Sequence, residues 1–324
     1  MKAVICPKYG PPEVLQLREI EKPSPKSNEV LIKNHATTVL LGDCELRGLN
    51  FPHYSLLLKF LMRFGFGIRG PRKKILGQQL AGEIEAIGQD VSRFKEGEQV
   101  YAVTGLDLGA YAEYKCLRED AIMALKPVNM SFAEASTIPI GGLEALYFMR
   151  NASIQNGHSI LINGAGGSIG TIAVQLAKYY RAEVTAVDSA AKFHMLRSLG
   201  AEQVIDYRQE NFVDHDDTYD FIFDIVGVTR YSDCMRLLNE NGVYLQGNGF
   251  VSRGDKSRAN EHNRMAMDGP ADYTIEGLLE LKDLIEAGKI RTAIDRTYKL
   301  EQMVEAHRFV EQGGKLGNVV VTME

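Results

Sequence analysis

The chain of 324 residues is long enough for two domains, and its 45% hydrophobic and 24% charged residues are those of an ordinary globular protein. A net charge of -5 argues against nucleic acid as a general partner, and no apolar run reaches the ~20 residues that a membrane-spanning helix needs. Because the N-terminus also lacks the apolar core of a signal peptide, we expect a cytoplasmic protein with no membrane span. Four scattered cysteines without C-x-x-C pairs predict free thiols.

The first part of the chain, residues 1–126, predicts an all-β unit. Short apolar stretches alternate there with turns of Gly, Pro and charged residues. The strands are expected at Lys2–Cys6, Glu29–Lys33, Ala81–Ile87, Gln99–Val103 and Ala110–Tyr114.

A basic, aromatic-rich stretch interrupts this unit. Between Glu45 and Glu83 no acidic residue occurs, whereas basic residues recur: Arg47, Lys59, Arg63, Arg69, Arg72, Lys73 and Lys74. One interpretation is an amphipathic surface helix, Tyr54–Phe64, that packs its leucine face on the core. The alternatives are a lid or cationic rim that attracts an anionic cofactor or covers an apolar substrate, and a membrane-surface role.

From Ser131 onward the pattern changes to alternating helices and strands. The S-x-x-E spacing of Ser131 and Glu134 predicts a capping box that opens a helix. Further on, residues 160–162 form the apolar run of a buried parallel strand, and residues 163–167 supply a glycine-rich turn. Apolar side chains then recur at helical spacing, which predicts an amphipathic helix: Ile169, Ile172, Ala173, Leu176, Ala177 and Tyr180.

The turn has the G/A-x-G-x-x-G pattern of a dinucleotide-binding loop, formed by Ala165, Gly166, Gly167, Ser168, Ile169 and Gly170. In this pattern Gly167 lets the backbone approach a pyrophosphate, and Gly170 allows the helix to pack closely on the strand. The free N–H groups at the helix start then face the phosphates.

Further strands follow at intervals that leave room for helices: Glu183–Val187, Gln203–Asp206, Asp220–Ile225 and Val243–Gln246. This alternation predicts right-handed crossovers and a doubly wound parallel sheet, and so an α/β fold. Asp188 ends the second strand ~20 residues after the turn, where an acidic side chain meets the adenosine ribose.

The same turn also fits G-x-S-x-G, the nucleophile elbow of serine hydrolases. A triad of Ser168, Asp224 and either His262 or His307 has the chain order that such an enzyme needs. The short strands before the turn argue against it, because a hydrolase builds much of its parallel sheet before the elbow.

Over nearly its whole length the chain resembles the medium-chain dehydrogenase/reductase superfamily, in the zinc-independent, quinone-oxidoreductase-like branch that includes zeta-crystallin. The resemblance rests on the glycine turn and on residues 2–4, 10–15, 82–88, 109–114, 199–207 and 287–290. It implies a GroES-like β domain, residues 1–126 with 270–324, that encloses a Rossmann NAD(P)-binding domain, residues 127–269. It also implies a homodimer.

The resemblance further implies a metal-free enzyme. Where zinc-dependent alcohol dehydrogenases have ligands, this chain has Leu40, three residues before Asp43, then Gln78, and then the segment 138–140. No four-cysteine lobe for a structural zinc lies between Glu98 and Tyr111. Without zinc to polarise a carbonyl, a quinone or an α,β-unsaturated carbonyl is the easier hydride acceptor. An alcohol or aldehyde oxidoreductase and a non-catalytic, crystallin-like protein stay open as alternatives.

Site residues follow from the motifs that match. Tyr147 matches a tyrosine that lies near the nicotinamide in the family, or is a core aromatic on a helix. Asp43 and Arg47 match the family's D-x-x-x-R segment, or form an internal ion pair that shapes the cleft. Tyr147 and Asp43 are therefore the catalytic candidates, and Gly247 and Asn248 match the loop that meets the nicotinamide end. Glu144 and Leu40 depart from the usual Thr and Asn, which leaves the small-molecule acceptor undefined.

The residues that select the cofactor disagree with one another. Asp188 favours NAD(H), because its carboxylate accepts hydrogen bonds from ribose hydroxyls and repels a 2′-phosphate. Ser189, Lys192 and Tyr207 match residues that hold the 2′-phosphate of NADP(H) in quinone oxidoreductases. We therefore expect use of both cofactors, with NADH slightly favoured over NADPH and no zinc.

Overall fold

A computed structural model describes residues 1–52, 56–227 and 229–323, and within it the chain forms two compact units. The first, here called the β unit, comprises Met1–Ile140, Thr274–Ala287 and the segment from Ile294 onward. The second, here called the parallel-sheet unit, comprises Gly141–Tyr273 and Gly288–Ala293. The domain boundaries expected from the sequence stay a prediction.

The N-terminal segment of the β unit contains short strands and three helices. Its elements are β1 (Lys2–Ile5), β2 (Gln16–Glu19), β3 (Glu29–Thr38), α1 (Leu41–Gly48), α2 (Leu56–Phe66), β4 (Gln79–Ile87), β5 (Gln99–Val103), β6 (Tyr114–Arg118), β7 (Met123–Leu125) and α3 (Phe132–Ala135). The strand expected at Ala110–Tyr114 is wrong, because the backbone of Tyr111 and Glu113 bonds to β1 and pairing with β3 starts only at Tyr114. The capping box of Ser131 and Glu134 is confirmed at the start of α3.

The predicted surface helix is present as α2, but its orientation differs from the expectation. Tyr54, where the helix was expected to begin, lies outside the described residues. The inward positions are Met62 and Phe66, which pack on a core cluster, whereas Leu56 is 85% exposed and Leu57 70% exposed. The prediction that the leucine face packs on the core is therefore wrong.

The parallel-sheet unit begins within α4 (Pro139–Asn151), and its strands alternate with helices. The elements that follow are β8 (Ser159–Asn163), α5 (Ser168–Tyr179), β9 (Glu183–Asp188), α6 (Phe193–Leu199), β10 (Gln203–Asp206), β11 (Tyr219–Asp224), α7 (Tyr231–Arg236), β12 (Leu238–Gln246), α8 (Arg253–Glu261) and β13 (Met265–Met267). The sheet order is β10-β9-β8-β11-β12-β13, and every neighbouring pair is parallel. This is the doubly wound arrangement, with its switch point between β8 and β11.

The C-terminal segment completes the β unit. It contains α9 (Ile275–Glu286), β14 (Ile294–Lys299), α10 (Met303–Glu311) and β15 (Asn318–Thr322). Because β15 pairs with both β14 and β3, the chain end extends a seven-stranded sheet in the order β14-β15-β3-β4-β5-β7, with β6 also on β3. In the described ranges, no helix is long and apolar enough to cross a membrane.

Candidate functional site

The glycine turn joins the buried strand β8 directly to the N-terminus of α5. Gly164 adopts a φ of +84°, a left-handed conformation that favours glycine. A Cβ on Gly170 would lie 2.4 Å from the Gly164 carbonyl oxygen and 2.5 Å from the Ala165 Cα, so α5 can pack this closely on the turn only with glycine there. The turn is therefore held tightly against the helix it precedes.

Gly167 has a different environment. It is the N-cap residue of α5, makes no side-chain capping bond and has a φ of -93°. A Cβ there would approach only the Gly164 carbonyl oxygen, at 3.6 Å, so it would project into open space before the helix start. Backbone N–H groups in the first turn of a helix attract anions, and a side chain at position 167 would stand in front of them.

The carboxylate of Asp188, at the end of β9, points at the same turn. Its Oδ2 accepts the Gly166 N–H at 2.8 Å, and its Oδ1 accepts the Ser189 N–H and lies 2.8 Å from Lys192 Nζ. Both side chains of the ion pair are only 8% exposed. Each carboxylate oxygen has two lone pairs, so Asp188 can still accept from a ribose hydroxyl at its remaining sites.

Lys192 also leaves no room for a side chain at position 166. A Cβ on Gly166 would lie 2.3 Å from Lys192 Cδ and 2.9 Å from Asp188 Oδ2. The glycine turn, Asp188 and Lys192 thus form one packed group. The sequence shows them only as separate residues that influence cofactor choice. Tyr207 follows β10, next to β9 in the sheet, and is 54% exposed.

The carboxyl ends of the central strands are tied together by Asp224. This fully buried residue of β11 accepts hydrogen bonds from Asn163 Nδ2 of β8, the Gly227 N–H and the Tyr244 hydroxyl of β12, at 2.9, 2.9 and 3.2 Å. The hydrolase triad required a histidine on Asp224, but its partners are an amide, a backbone N–H and a phenol. No local sequence pattern predicts this network.

The loop after β12 lies next to this group. A Cβ on Gly247 would lie 3.1 Å from the Phe223 ring, and one on Gly227 would lie 2.5 Å from the Asn248 carbonyl oxygen. The Gln246 side chain also donates to that oxygen, at 2.8 Å. In doubly wound sheets, ligands bind outside the carboxyl ends of strands at the switch point, and these loops lie there.

Helix α4 brings Glu144 and Tyr147 to the same unit. A Cβ on Gly141 would lie 2.8 Å from the Ser168 carbonyl oxygen, so the first turn of α4 packs against the start of α5. Residues three apart share a helix face, which places Glu144 and Tyr147 side by side. The Tyr273 hydroxyl donates to Glu144 Oε1 at 2.8 Å, and burial raises the pKa of the Glu144 carboxyl, opposed by this hydrogen bond.

In the β unit, Asp43 is fully buried at the start of α1. Its carboxylate accepts the Leu40 N–H at 3.0 Å and the Gln78 side-chain amide at 3.1 Å. Burial raises the pKa of Asp43 to about 6, although these hydrogen bonds oppose the rise. Such a carboxyl cannot touch a substrate directly, but it can orient Gln78.

The described side chains at the zinc-ligand positions do not fit a zinc ion. Leu40 offers no ligand atom, and the Gln78 amide nitrogen donates to Asp43 instead of facing a metal. Zinc in proteins selects thiolates, imidazoles and carboxylates. Nowhere in the described ranges do three or more His, Cys, Asp or Glu side chains cluster as a metal site would require.

Arg47 belongs to a different group from the one expected. Rather than pairing with Asp43, its guanidinium forms an ion pair with Glu311, donates to the Gly10 carbonyl oxygen at 3.1 Å and donates to His307 Nδ1 at 2.9 Å. Burial, and then the charge of Arg47, lower the pKa of His307 to about 3, so this imidazole is neutral. Contacts across about 260 residues leave no local pattern in the sequence.

A doubly wound sheet with a glycine turn at a helix N-terminus is typical of dinucleotide-binding enzymes, oxidoreductases among them. Comparison with known families agrees with this class. Residues 26–127 match the model described as an alcohol dehydrogenase GroES-like domain, and residues 199–321 match the model described as a zinc-binding dehydrogenase.

Several relatives cover nearly the whole chain. It is 31% identical to 2-methylene-furan-3-one reductase of Solanum lycopersicum and 30% identical to the chloroplastic NADPH-dependent alkenal/one oxidoreductase of Arabidopsis thaliana, each over 99% of this chain and 79% of the relative. It is 29% identical to quinone oxidoreductase of Sus scrofa, over 100% of this chain and 98% of that one.

Solved structures give the same result. Quinone oxidoreductase from Coxiella burnetii superposes with a TM-score of 0.86 at 30% identity, covering 100% of this chain and 99% of that one. The Escherichia coli quinone oxidoreductase complexed with NADPH superposes with a TM-score of 0.84 at 26% identity, covering 99% and 100%. The chain therefore belongs to the medium-chain dehydrogenase/reductase superfamily, in its zinc-independent, quinone-oxidoreductase-like branch. The predicted family, fold class and NAD(P)H-dependent oxidoreductase activity are confirmed.

Proposed function

We propose that this chain reduces quinones or α,β-unsaturated carbonyl compounds with NAD(P)H and without zinc. The observation that carries the proposal is that one chain has both a glycine turn at the N-terminus of α5 and, at the zinc-ligand positions, Leu40 and Gln78. Relatives named for reduction of a methylene-furanone, of alkenals and enones, and of quinones support the acceptor class.

The nicotinamide, when bound, supplies a hydride from its C4 atom. The chain's own residues bind and orient: N–H groups at the start of α5 hold the diphosphate, Gly167 leaves room for it, and Asp188 accepts from the adenosine ribose. Ala165, Gly166, Ser168, Ile169 and Gly170 shape the turn. Gly247 and Asn248 border the nicotinamide end, with Tyr147 nearby.

For the cofactor we propose dual use, with a modest preference for NADH. The Lys192 ammonium neutralises much of the charge of Asp188, which weakens the repulsion of a 2′-phosphate without removing the ribose acceptor. The Ser189 N–H donates to Asp188, and Tyr207 follows Asp206, whose backbone pairs with that of Asp188. The NADPH named for two relatives supports use of that cofactor as well.

For the proton we propose the Glu144 carboxyl, held in place by the Tyr273 hydroxyl. Burial raises the pKa of this carboxyl, as a general acid requires, whereas the raised pKa of the Tyr273 hydroxyl makes the phenol a weaker acid. Glu144→Gln removes the proton and should lower kcat at least about a hundredfold with the KM for the cofactor unchanged. Tyr273→Phe removes only the hydrogen bond that holds the carboxyl and should alter the pH profile of kcat more than its maximum. An unchanged kcat in Glu144→Gln excludes this role.

From the family resemblance we also propose a cytoplasmic homodimer with the domain boundaries 1–126 plus 270–324 and 127–269, and a buried positioning role for Asp43.

The test of the function is a screen of NADH and NADPH oxidation against quinones, enones, enals and saturated aldehydes. We expect turnover with the first three classes. Turnover with saturated aldehydes alone would favour an alcohol or aldehyde oxidoreductase instead.

A further inference from the structure

Helix α2 in the β unit exposes a continuous apolar surface, here called the α2 face, formed by Leu56, Leu57, Phe60, Leu61 and Phe64. Each of these side chains is between 47% and 85% exposed. At 3.6 residues per turn they fall within an arc of about 140° on one side of the helix. The rings of Phe60 and Phe64 contact each other edge to face, with centroids 4.8 Å apart.

The opposite side of α2 fixes this orientation. Met62 and Phe66 pack on a core cluster of the β unit, and the Phe66 ring stacks near Phe51 at 6.3 Å. The helix cannot turn its outer side chains inward without withdrawing these anchors. A large apolar patch on a protein surface marks an interaction site.

In the stretch of sequence that contains α2, every charged residue is basic. Residues 46–82 contain no acidic residue, and exposed cations lie at the edge of the helix and just after it: Arg63, Arg69, Arg72, Lys73 and Lys74. Asp107 pairs with Lys73, at 2.6 Å, and Arg63 donates to the Ile68 carbonyl oxygen. A cationic border on an otherwise acidic chain favours an anionic partner.

A second copy of the chain is a poor occupant, because a twofold interface would set this cationic border against itself. An anionic bilayer can accommodate both the apolar α2 face and its cationic border. Interfacial helices bury an aromatic and leucine face at the boundary of headgroups and acyl chains, and their basic residues meet anionic lipids. The 11 residues of α2 span about 16 Å, too short to cross the bilayer.

We propose that the α2 face docks this chain on the surface of a membrane rich in anionic lipids. This goes beyond the reaction and does not depend on which acceptor is reduced. The test is sedimentation of the full-length protein with vesicles of phosphatidylcholine containing phosphatidylglycerol, compared with vesicles of phosphatidylcholine alone. Wild type should sediment with the anionic vesicles, and added salt should reduce the bound fraction.

Two variants separate the apolar and electrostatic contributions. Leu57→Ser/Phe60→Ser removes exposed apolar area and should lower the partition coefficient at least about tenfold. Arg69→Gln/Arg72→Gln should lower it about thirtyfold, since each cation near an anionic surface contributes ~1 kcal/mol. Val128→Ser, at a residue 84% exposed outside α2, is the matched control and should bind like wild type.

Light scattering of the same proteins in solution decides between a membrane and a second copy. We expect the oligomeric state of Leu57→Ser/Phe60→Ser to match that of wild type, because the bilayer is the partner. Loss of an oligomer in this variant, or equal vesicle binding by it and wild type, overturns the proposal. Failure of wild type to bind anionic vesicles does so too, and the Tm of each variant shows whether its fold is intact.

Discussion

The adenosine end of the proposed cofactor site depends on single residues whose side chains bond to each other. Asp188 accepts two backbone N–H groups and pairs with Lys192, so the carboxylate that we propose for the ribose also holds the turn. The sequence placed Asp188 and Lys192 correctly on the strand end and the following turn. It could not show that they neutralise each other, because that depends on side-chain direction.

Changing Asp188 tests the proposed cofactor preference. Asp188→Ser removes the charge and frees Lys192 for a 2′-phosphate, so the ratio of kcat/KM for NADPH over NADH should rise about tenfold, or about 1.4 kcal/mol. Asp188→Asn keeps an acceptor for the Gly166 N–H and separates the loss of charge from loosening of the turn. An unchanged ratio in both variants would show that Asp188 does not meet the ribose.

A second residue-scale prediction concerns His307 and acid stability. Its pKa is lowered from 6.5 to about 3, so between these values the unfolded chain binds a proton that the folded chain does not. Stability is fully present above the unfolded pKa and falls by about 1.4 kcal/mol per pH unit as the pH drops through this window.

His307→Gln, which can still accept from Arg47, should therefore lose less Tm than wild type as the pH is lowered from neutrality to about pH 4. The measurement is Tm against pH for both proteins. His262→Gln, at an exposed histidine at the end of α8, serves as the control. Parallel Tm curves for wild type and His307→Gln would mean that the imidazole titrates normally in the folded chain.

At the scale of elements, the strand, turn and helix from β8 to α5 carry the proposed cofactor site, and we expect their glycines to have separable roles. Gly167→Val places its side chain in open space before the helix, so the protein should fold with a near-normal Tm but lose cofactor affinity. Gly170→Val pushes on the turn backbone. This overpacking should lower the free energy of unfolding by about 1–3 kcal/mol, and with it the Tm.

Both variants are measured by cofactor titration and by thermal unfolding. Gly254→Val, in the first turn of α8, controls for the backbone effect of adding a side chain, because a Cβ there would meet only the Ser252 hydroxyl oxygen, at 3.9 Å. Normal cofactor affinity in Gly167→Val would show that the glycine turn does not bind the cofactor.

Elements with strong local patterns were predicted well from the sequence. The strands at Gln99–Val103 and Gln203–Asp206 have the predicted bounds, and the helix after the glycine turn lies where its apolar spacing indicated. The short edge strand β13, Met265–Met267, was missed because three residues give no periodicity. The outward face of α2 was missed because apolar residues occur on both sides of this helix, so their spacing does not show which side meets the core.

At the scale of the whole chain, the resemblance of many separate segments established the family, and comparison with known proteins confirmed it. The group of Arg47, His307 and Glu311 could not be predicted, because the C-terminal helix α10 reaches the N-terminal part of the β unit only through folding. Local pattern thus predicts the cofactor turn, whereas contacts between distant segments need the structure.

The central claim is hydride transfer without zinc, and one measurement tests it most directly. The protein is dialysed against EDTA, its metal content is determined, and NADPH and NADH oxidation by a quinone and by an enone are followed before and after dialysis. Because Leu40 and Gln78 provide no zinc ligands, we predict equal rates in both samples and no gain on adding zinc. Loss of activity on dialysis that zinc restores would contradict the account.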